Sequence, residues 1–245
     1  MIENISVVIM AKDAQESIAA CLDSLIDFKE VVLYLNNSTD NTKKIAKKYE
    51  NIKIVNGEFI GFGPTKNVAA THASNDWILS LDSDEILNEK LIKEILSQNF
   101  DNKNNIFTLI RDNYFLGEKT ISKDYIVRLY NKKNNLFDNA LVHEKIVVHK
   151  FNNKITLKTT FKHLNITDIN QTLTKMIKYT DLGAEGKKTC FFGIVIAKAF
   201  FAFFQTYILR FYFINGWVGF TIAVSNANRR FYKYLKQYIN CKKVT

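Results

Sequence analysis

Four short apolar runs organise the first third of the chain. Residues Ile5-Ser6-Val7-Val8-Ile9-Met10 read as a buried strand, and Ala14, Ile18, Cys21, Leu22, Leu25 and Ile26 then recur at helical spacing. Residues 30–35 (Glu-Val-Val-Leu-Tyr-Leu) form a second strand pattern. The turn Asn36-Asn37-Ser38 leads to a helix capped near Ser38 or Thr39 and running to about Tyr49. Ile52 to Val55 is a short third strand. Gly61-Phe62-Gly63-Pro64 is a loop whose proline is placed to open the next helix. Trp77 to Leu81 is a fourth strand that runs into Asp82-Ser83-Asp84-Glu85. This alternation predicts a mostly parallel sheet covered by helices, with a site at the carboxyl ends of its strands.

From about 105 to 165 the pattern changes to short alternating strands with turns. A helix follows over 168–188, capped by Thr167 or Asp168. Cys190 to Ile214 is the most apolar segment, broken by Lys198, Gln205, Thr206 and Arg210. A spanning helix needs roughly 20 largely uncharged residues. This segment is marginal for that and has basic flanks on both sides, so it reads as a helix lying in a membrane interface, ahead of a spanning helix or a buried hairpin. The chain thus divides into an α/β body, residues 1–165, and a helical, membrane-associating region, 166–245.

Charge sharpens that division. The chain has 245 residues and a formal net charge of +10, yet no Asp or Glu follows Glu185. Ten basic residues and half of the 32 aromatics lie beyond it, while the first 185 residues are charge-neutral. Such a tail suits an anionic membrane surface. Its continuous apolar run argues against nucleic acid, because stacking platforms are interspersed with polar surface. Cys21, Cys190 and Cys241 are far apart and include no C-x-x-C, which argues against a zinc site or a disulfide framework and fits a reducing compartment. Met1-Ile2-Glu3-Asn4 lacks a basic stretch followed by a long apolar run, so no cleaved signal peptide is expected.

Asp82 and Asp84 carry the clearest chemistry. Two carboxylates at i and i+2, just past a buried strand, suit a hard divalent cation, Mg²⁺ or Mn²⁺, whose other ligands are phosphate oxygens. Such a cation neutralises a departing diphosphate. In another setting the same residues would be a solvated loop; at this point of an alternating fold they read as a site.

Several segments together resemble family 2 glycosyltransferases of GT-A fold, and more narrowly the bacterial lipopolysaccharide-core β-glucosyltransferases. They are Val7-Val8-Ile9-Met10-Ala11-Lys12-Asp13, Asn37-Ser38-Thr39-Asp40-Asn41-Thr42, Gly61-Phe62-Gly63-Pro64-Thr65-Lys66-Asn67, Trp77 to Glu85, Asn113-Tyr114-Phe115-Leu116-Gly117, Arg128-Leu129-Tyr130, Val142-His143-Glu144 and Asn215-Gly216-Trp217-Val218-Gly219-Phe220. They run in the family's order along nearly the whole chain. The resemblance implies a GT-A, Rossmann-like body that transfers a sugar, glucose first, from a UDP-sugar to a lipid-linked glycan at the cytoplasmic face of the inner membrane. It implies that Ala11, Lys12 and the end of the second strand hold the nucleoside. Lys66 and Asn67 would touch nucleotide or phosphate, and Asp82 and Asp84 would bind donor ribose and metal. Glu144 matches the family's candidate base, His143 would orient it or bind acceptor, and His163 would be a third metal ligand. Arg128 would hold phosphate or acceptor, or form a strand-edge ion pair. His72 and His149 read as surface or packing residues.

One departure stands out. The family's usual aspartate before the turn after the second strand is missing from Tyr34-Leu35-Asn36-Asn37-Ser38. The amide oxygen of Asn36 or Asn37 is the available acceptor for the base N–H. Two readings stand behind the leading one: transfer to another glycan or a polyprenyl-phosphate lipid, and a catalytically inactive membrane scaffold.

Overall fold

The first apolar run becomes β1 (Ile2–Ala11), the centre of a parallel set with β2 (Phe28–Asn36), β3 (Ile52–Gly57) and β4 (Trp77–Asp82). The computed structural model describes residues 1–141 and 144–243. The parallel strands lie in the order β3-β2-β1-β4. Val7 sits between Val31 and Leu79, and Met10 lies opposite Asp82. Near-continuous apolar runs are what strands covered on both faces require. The crossovers carry α1 (Ile18–Asp23), α2 (Thr42–Ala46) and α3 (Phe62–Thr71). Helix α2 starts later than Ser38 or Thr39, because Ser38, Thr39 and Asp40 are drawn into bonds with the loop after β1. Pro64 is the third residue of α3, which Phe62 opens after Gly61 at φ 112°.

The sheet is mixed, not mostly parallel. After β5 (Glu85–Ile86) and α4 (Glu89–Leu96) come β6 (Asn105–Phe115), β7 (Glu118–Asn131) and β8 (Asn153–Ile166). The full order is β3-β2-β1-β4-β7-β6-β8-β5, with β7 antiparallel to β4 and β8 antiparallel to β5. These strands are also long, 11, 14 and 14 residues, where the sequence suggests short ones. The charged residues Arg111 and Asp124 lie inside β6 and β7 and pair with each other at 2.9 Å. The turn between them is Leu116-Gly117, both at positive φ, the backbone of a tight two-residue hairpin.

Backbone packing divides the chain into two units, residues 1–112 with 123–163 and residues 113–122 with 164–245. The core of the first is built on Val7, Ile9, Leu33, Leu79 and Leu81, packed against Ile18, Leu22, Leu91 and Ile95. The second unit holds α5 (Ile169–Ala184), α6 (Phe192–Phe204) and α7 (Gly216–Lys242). Asp168 caps α5 through the Asn170 N–H at 3.1 Å. The helix stops short of residue 188 because Gly186 turns left-handed at φ 64°. A π turn, Gln205–Leu209, and a 3-10 turn, Tyr212–Asn215, reverse the chain between α6 and α7.

That reversal overturns the reading of unpaired cysteines. Cys190 and Cys241 form a disulfide, Cα atoms 5.4 Å apart, although 51 residues separate them. They meet because α6 runs back along α7, a return that spacing in the sequence does not reveal. Thr189 donates through N–H and Oγ1 to Gln237 beside the pair. Cys21 stays a buried free thiol.

Candidate active site

The carboxyl ends of β1 and β2 are stitched together by side chains. Asp13, held at φ 48°, accepts the Thr39 N–H at 2.8 Å, and its own N–H donates to Ser38 Oγ at 3.1 Å. Asp40 accepts from Gln15 N–H at 2.9 Å and from Thr42 Oγ1 at 2.6 Å, and Thr42 Oγ1 accepts the Ala14 N–H at 2.8 Å. Burial pushes the Asp40 carboxyl up, but these hydrogen bonds outweigh it and hold the group below its usual range. Ala11 is buried at the end of β1 and Lys12 is exposed just past it. Asn36 is the last residue of β2, opposite Gly57, and is buried with no hydrogen-bond partner for Oδ1. Asn37 is exposed, in the left-handed region at φ 56°.

At the end of β4 five elements converge on one cluster of charge. Asp82 takes Lys66 Nζ from α3 on Oδ1 at 2.8 Å and Arg128 from β7 on Oδ2. Lys66 Nζ also reaches Glu144 Oε1 at 2.7 Å. Glu85, fully buried, pairs with Arg128 and with Arg111 Nη1 at 2.9 Å. Burial pushes the Asp82 carboxyl up, but the charges of Arg128 and Lys66 outweigh it and hold the group well below the usual carboxylate range. Burial works against the Arg128 charge too, yet Asp82 and Glu85 hold its value above the usual one. The Cys21 thiol, against the Asp82 carbonyl at 3.8 Å, is pushed well up by burial and by Glu85, Asp84 and Asp82.

Asp84 has a different partner. Its Oδ2 lies 3.3 Å from His163 Nε2, across the β5–β8 pair in which Glu85 is opposite His163. A carboxylate oxygen beside an imidazole nitrogen fits a divalent cation, and fits Mn²⁺ better than the harder Mg²⁺. Among the described residues no group of three or more His, Cys, Asp or Glu could hold a metal. A cation on Asp84 and His163 would take its remaining ligands from phosphate and water.

The structure therefore brings Lys66, Asp82, Arg128 and Glu144 into one cluster and sets Asp84 and His163 side by side. Ala11, Lys12, Asn36 and Asn37 lie at the ends of β1 and β2. His143 lies outside the described residues. Asn67 is turned to the backbone: it donates to the Phe137 carbonyl at 2.9 Å and accepts the Phe137 N–H at 2.8 Å. Sequence reasoning missed Glu85 and Arg111. The only signal for Glu85 is that it directly follows Asp82-Ser83-Asp84; Arg111 has none, because its partners are far away along the chain.

A family model described as glycosyl transferase family 2 matches residues 6–161, which take in the parallel strands and the whole charge cluster. The chain belongs to glycosyltransferase family 2. Its α/β body is GT-A-like, with a mixed sheet. An uncharacterized glycosyltransferase of Rickettsia bellii is 31% identical over 96% of this chain and 86% of that protein. The lipopolysaccharide core biosynthesis glycosyltransferase LpsC of Rhizobium meliloti is 25% identical over 96% of this chain and 92% of its own. Among solved structures, Staphylococcus aureus TarS 1–349 in complex with UDP aligns over 99% of this chain and 92% of that one, at 15% identity and a TM-score of 0.45.

Proposed function

We propose that this family 2 glycosyltransferase is an inverting enzyme that moves a sugar, glucose first, from a UDP-sugar to a membrane-anchored glycan of the lipopolysaccharide or lipooligosaccharide core type. The observation that carries the reading is the Lys66 ammonium shared by Asp82 and Glu144 at the carboxyl end of β4. It sets a second carboxylate, Glu144, beside the carboxylate that ends the donor strand. A sugar hydroxyl is a poor nucleophile near neutral pH, and a carboxylate so placed takes its proton as it attacks C1. Attack from the face opposite the diphosphate turns an α-linked donor into a β-linked product. Asn36 and Asn37 would read the base. Asp84 and His163 would hold Mn²⁺ or Mg²⁺, which supplies charge that makes the diphosphate a better leaving group. The likeness to LpsC supports the acceptor class.

The second unit supports a peripheral place on an anionic membrane surface. Phe191, Phe200, Phe211, Ile214 and Trp217 are exposed in its stretch after Glu185, which carries cations and no acids. Phe192–Leu209 is, among the described residues, the one helix long and apolar enough to cross a membrane by length and composition alone.

The test is a panel of UDP-sugars with a lipid-linked core acceptor, run with Mn²⁺ and with EDTA. One UDP-sugar should give a β-linked product, lost in EDTA. Glu144→Gln should lower kcat by about 10²–10⁴ with donor affinity nearly unchanged. Full transfer in EDTA overturns the metal assignment, and a near-normal kcat in the variant hands the base role to Asp138 or Asp112.

A further inference from the structure

Glu144 belongs to no helix or strand, so something other than its own backbone must fix its side chain. Its loop is fastened to α3 at several points. Phe62 N–H donates to the Leu141 carbonyl at 3.3 Å, and Gly63 N–H to the Ala140 carbonyl at 3.2 Å. A Cβ on Gly63 would meet the Asp138 carbonyl oxygen at 1.9 Å, so glycine alone permits this approach. Asn67 clamps the Phe137 backbone from the next turn of the helix. Between these anchors Lys66, its side chain only 3% exposed, reaches Glu144 at 2.7 Å and Asp82 at 2.8 Å, and lies over the Phe137 ring at 5.3 Å.

We propose that Lys66 is a positioning residue that ties the Glu144 side chain to the donor carboxylate Asp82, so that the acceptor's base and the donor site share one geometry. The inference rests on the reading of Glu144 as the base. Two carboxylates this close repel, and the side chain on the irregular loop is the one free to leave. One buried ammonium between them removes the repulsion and fixes both. A lysine whose main task is to grip phosphate predicts something different: its loss would weaken donor binding. A positioning lysine, once lost, leaves donor binding and lowers turnover.

The experiment compares parent, Lys66→Met, Glu144→Gln and the double variant, reading kcat and the dissociation constant of UDP separately. Lys66→Met should lose about 10²-fold in kcat and keep UDP binding within about threefold. In the Glu144→Gln background it should cost less than about threefold more, because the two substitutions remove one device. Added ammonium ion, small enough for the space left by the lost Nζ, should restore part of kcat in Lys66→Met and none in the double variant. A UDP dissociation constant raised tenfold or more, or fully multiplicative losses, overturns the inference. An unimpaired Glu144→Gln overturns instead the reading it rests on. Should Lys66→Met not fold, Glu144→Ala decides. Losing the ion pair should then speed exchange of the Lys145 amide, which donates to Asp138 Oδ1, by at least tenfold. Unchanged exchange overturns the inference.

Discussion

Glu85 lies buried beneath Asp82 and accepts its backbone N–H at 2.9 Å through Oε2, while Oε1 takes Arg111 and Arg128. The residue that organises the cluster is thus not one of the exposed-looking aspartates but the glutamate behind them. Glu85→Ala would remove the buried carboxylate that Arg111 and Arg128 share, leaving Arg128 on Asp82 and Arg111 on Asp124. Breaking a buried ion pair from one side costs about 3–5 kcal/mol. Urea unfolding should show a loss of that size, with Asp82 displaced and transfer abolished. A loss below about 1 kcal/mol would mean that water already reaches the two arginines.

The parallel half of the fold was legible because strands buried on both faces leave unbroken apolar runs, as in Val7 to Met10 and Trp77 to Leu81. Asp82 and Asp84 were visible for the same reason, since they end such a run. The antiparallel half was not. Arg111 and Asp124 are 13 positions apart in a region of alternating pattern, and only the pairing of β6 with β7 brings them together. The disulfide was hidden because it depends on α6 returning along α7. The division of labour between the two aspartates, Asp82 toward cations and Asp84 toward His163, depends on β7 and β8 and cannot be read from their spacing.

Asn36 Oδ1 is a buried acceptor with no hydrogen-bond partner in the protein, at the strand end where the base is expected. One net hydrogen bond contributes about 0.5–1.5 kcal/mol. Asn36→Ala should therefore weaken UDP binding roughly threefold to tenfold by calorimetry. Asn37 is exposed at φ 56°, and Asn37→Gly, which relieves that backbone, should leave affinity within about twofold. The reverse pattern would move base recognition to Asn37.

Acid should loosen the contact between α4 and β8. Glu94 accepts the Lys158 N–H at 2.7 Å and the Thr159 N–H at 2.8 Å. Burial pushes its carboxyl up, but the Thr159 and Lys158 hydrogen bonds and the Lys158 charge outweigh this and hold it below its usual range. A lowered folded value means the stabilisation is fully present above the unfolded value, about 4.3, and is lost as pH falls through the folded one. Glu94→Gln should unfold at lower urea than the parent at pH 7, and the two midpoints should converge on acidification below about pH 4. A gap that persists unchanged in acid would assign the effect to shape and hydrogen bonding rather than charge.

The tail is where a spanning and a peripheral helix make opposite predictions. Phe200 is 71% exposed and Trp217 60%, in a region with ten cations after Glu185 and no acid. Moving one such ring from water into the interface contributes about 1.5–3 kcal/mol, and each cation near an anionic surface about 1 kcal/mol. The aromatic part is indifferent to salt, whereas the cationic part is screened over about 8 Å at physiological ionic strength. Binding to vesicles should therefore have two separable components. Phe200→Ala with Trp217→Ala should weaken partition into neutral and anionic vesicles alike, on the order of 10²-fold. Arg229→Gln with Arg230→Gln should weaken it only on anionic vesicles and flatten the salt dependence. Alkaline carbonate should release the intact protein from membranes, since a helix lying in the interface has no loop to drag through the bilayer. Retention in the membrane after carbonate, with salt-independent binding, would instead make Phe192–Leu209 a spanning helix.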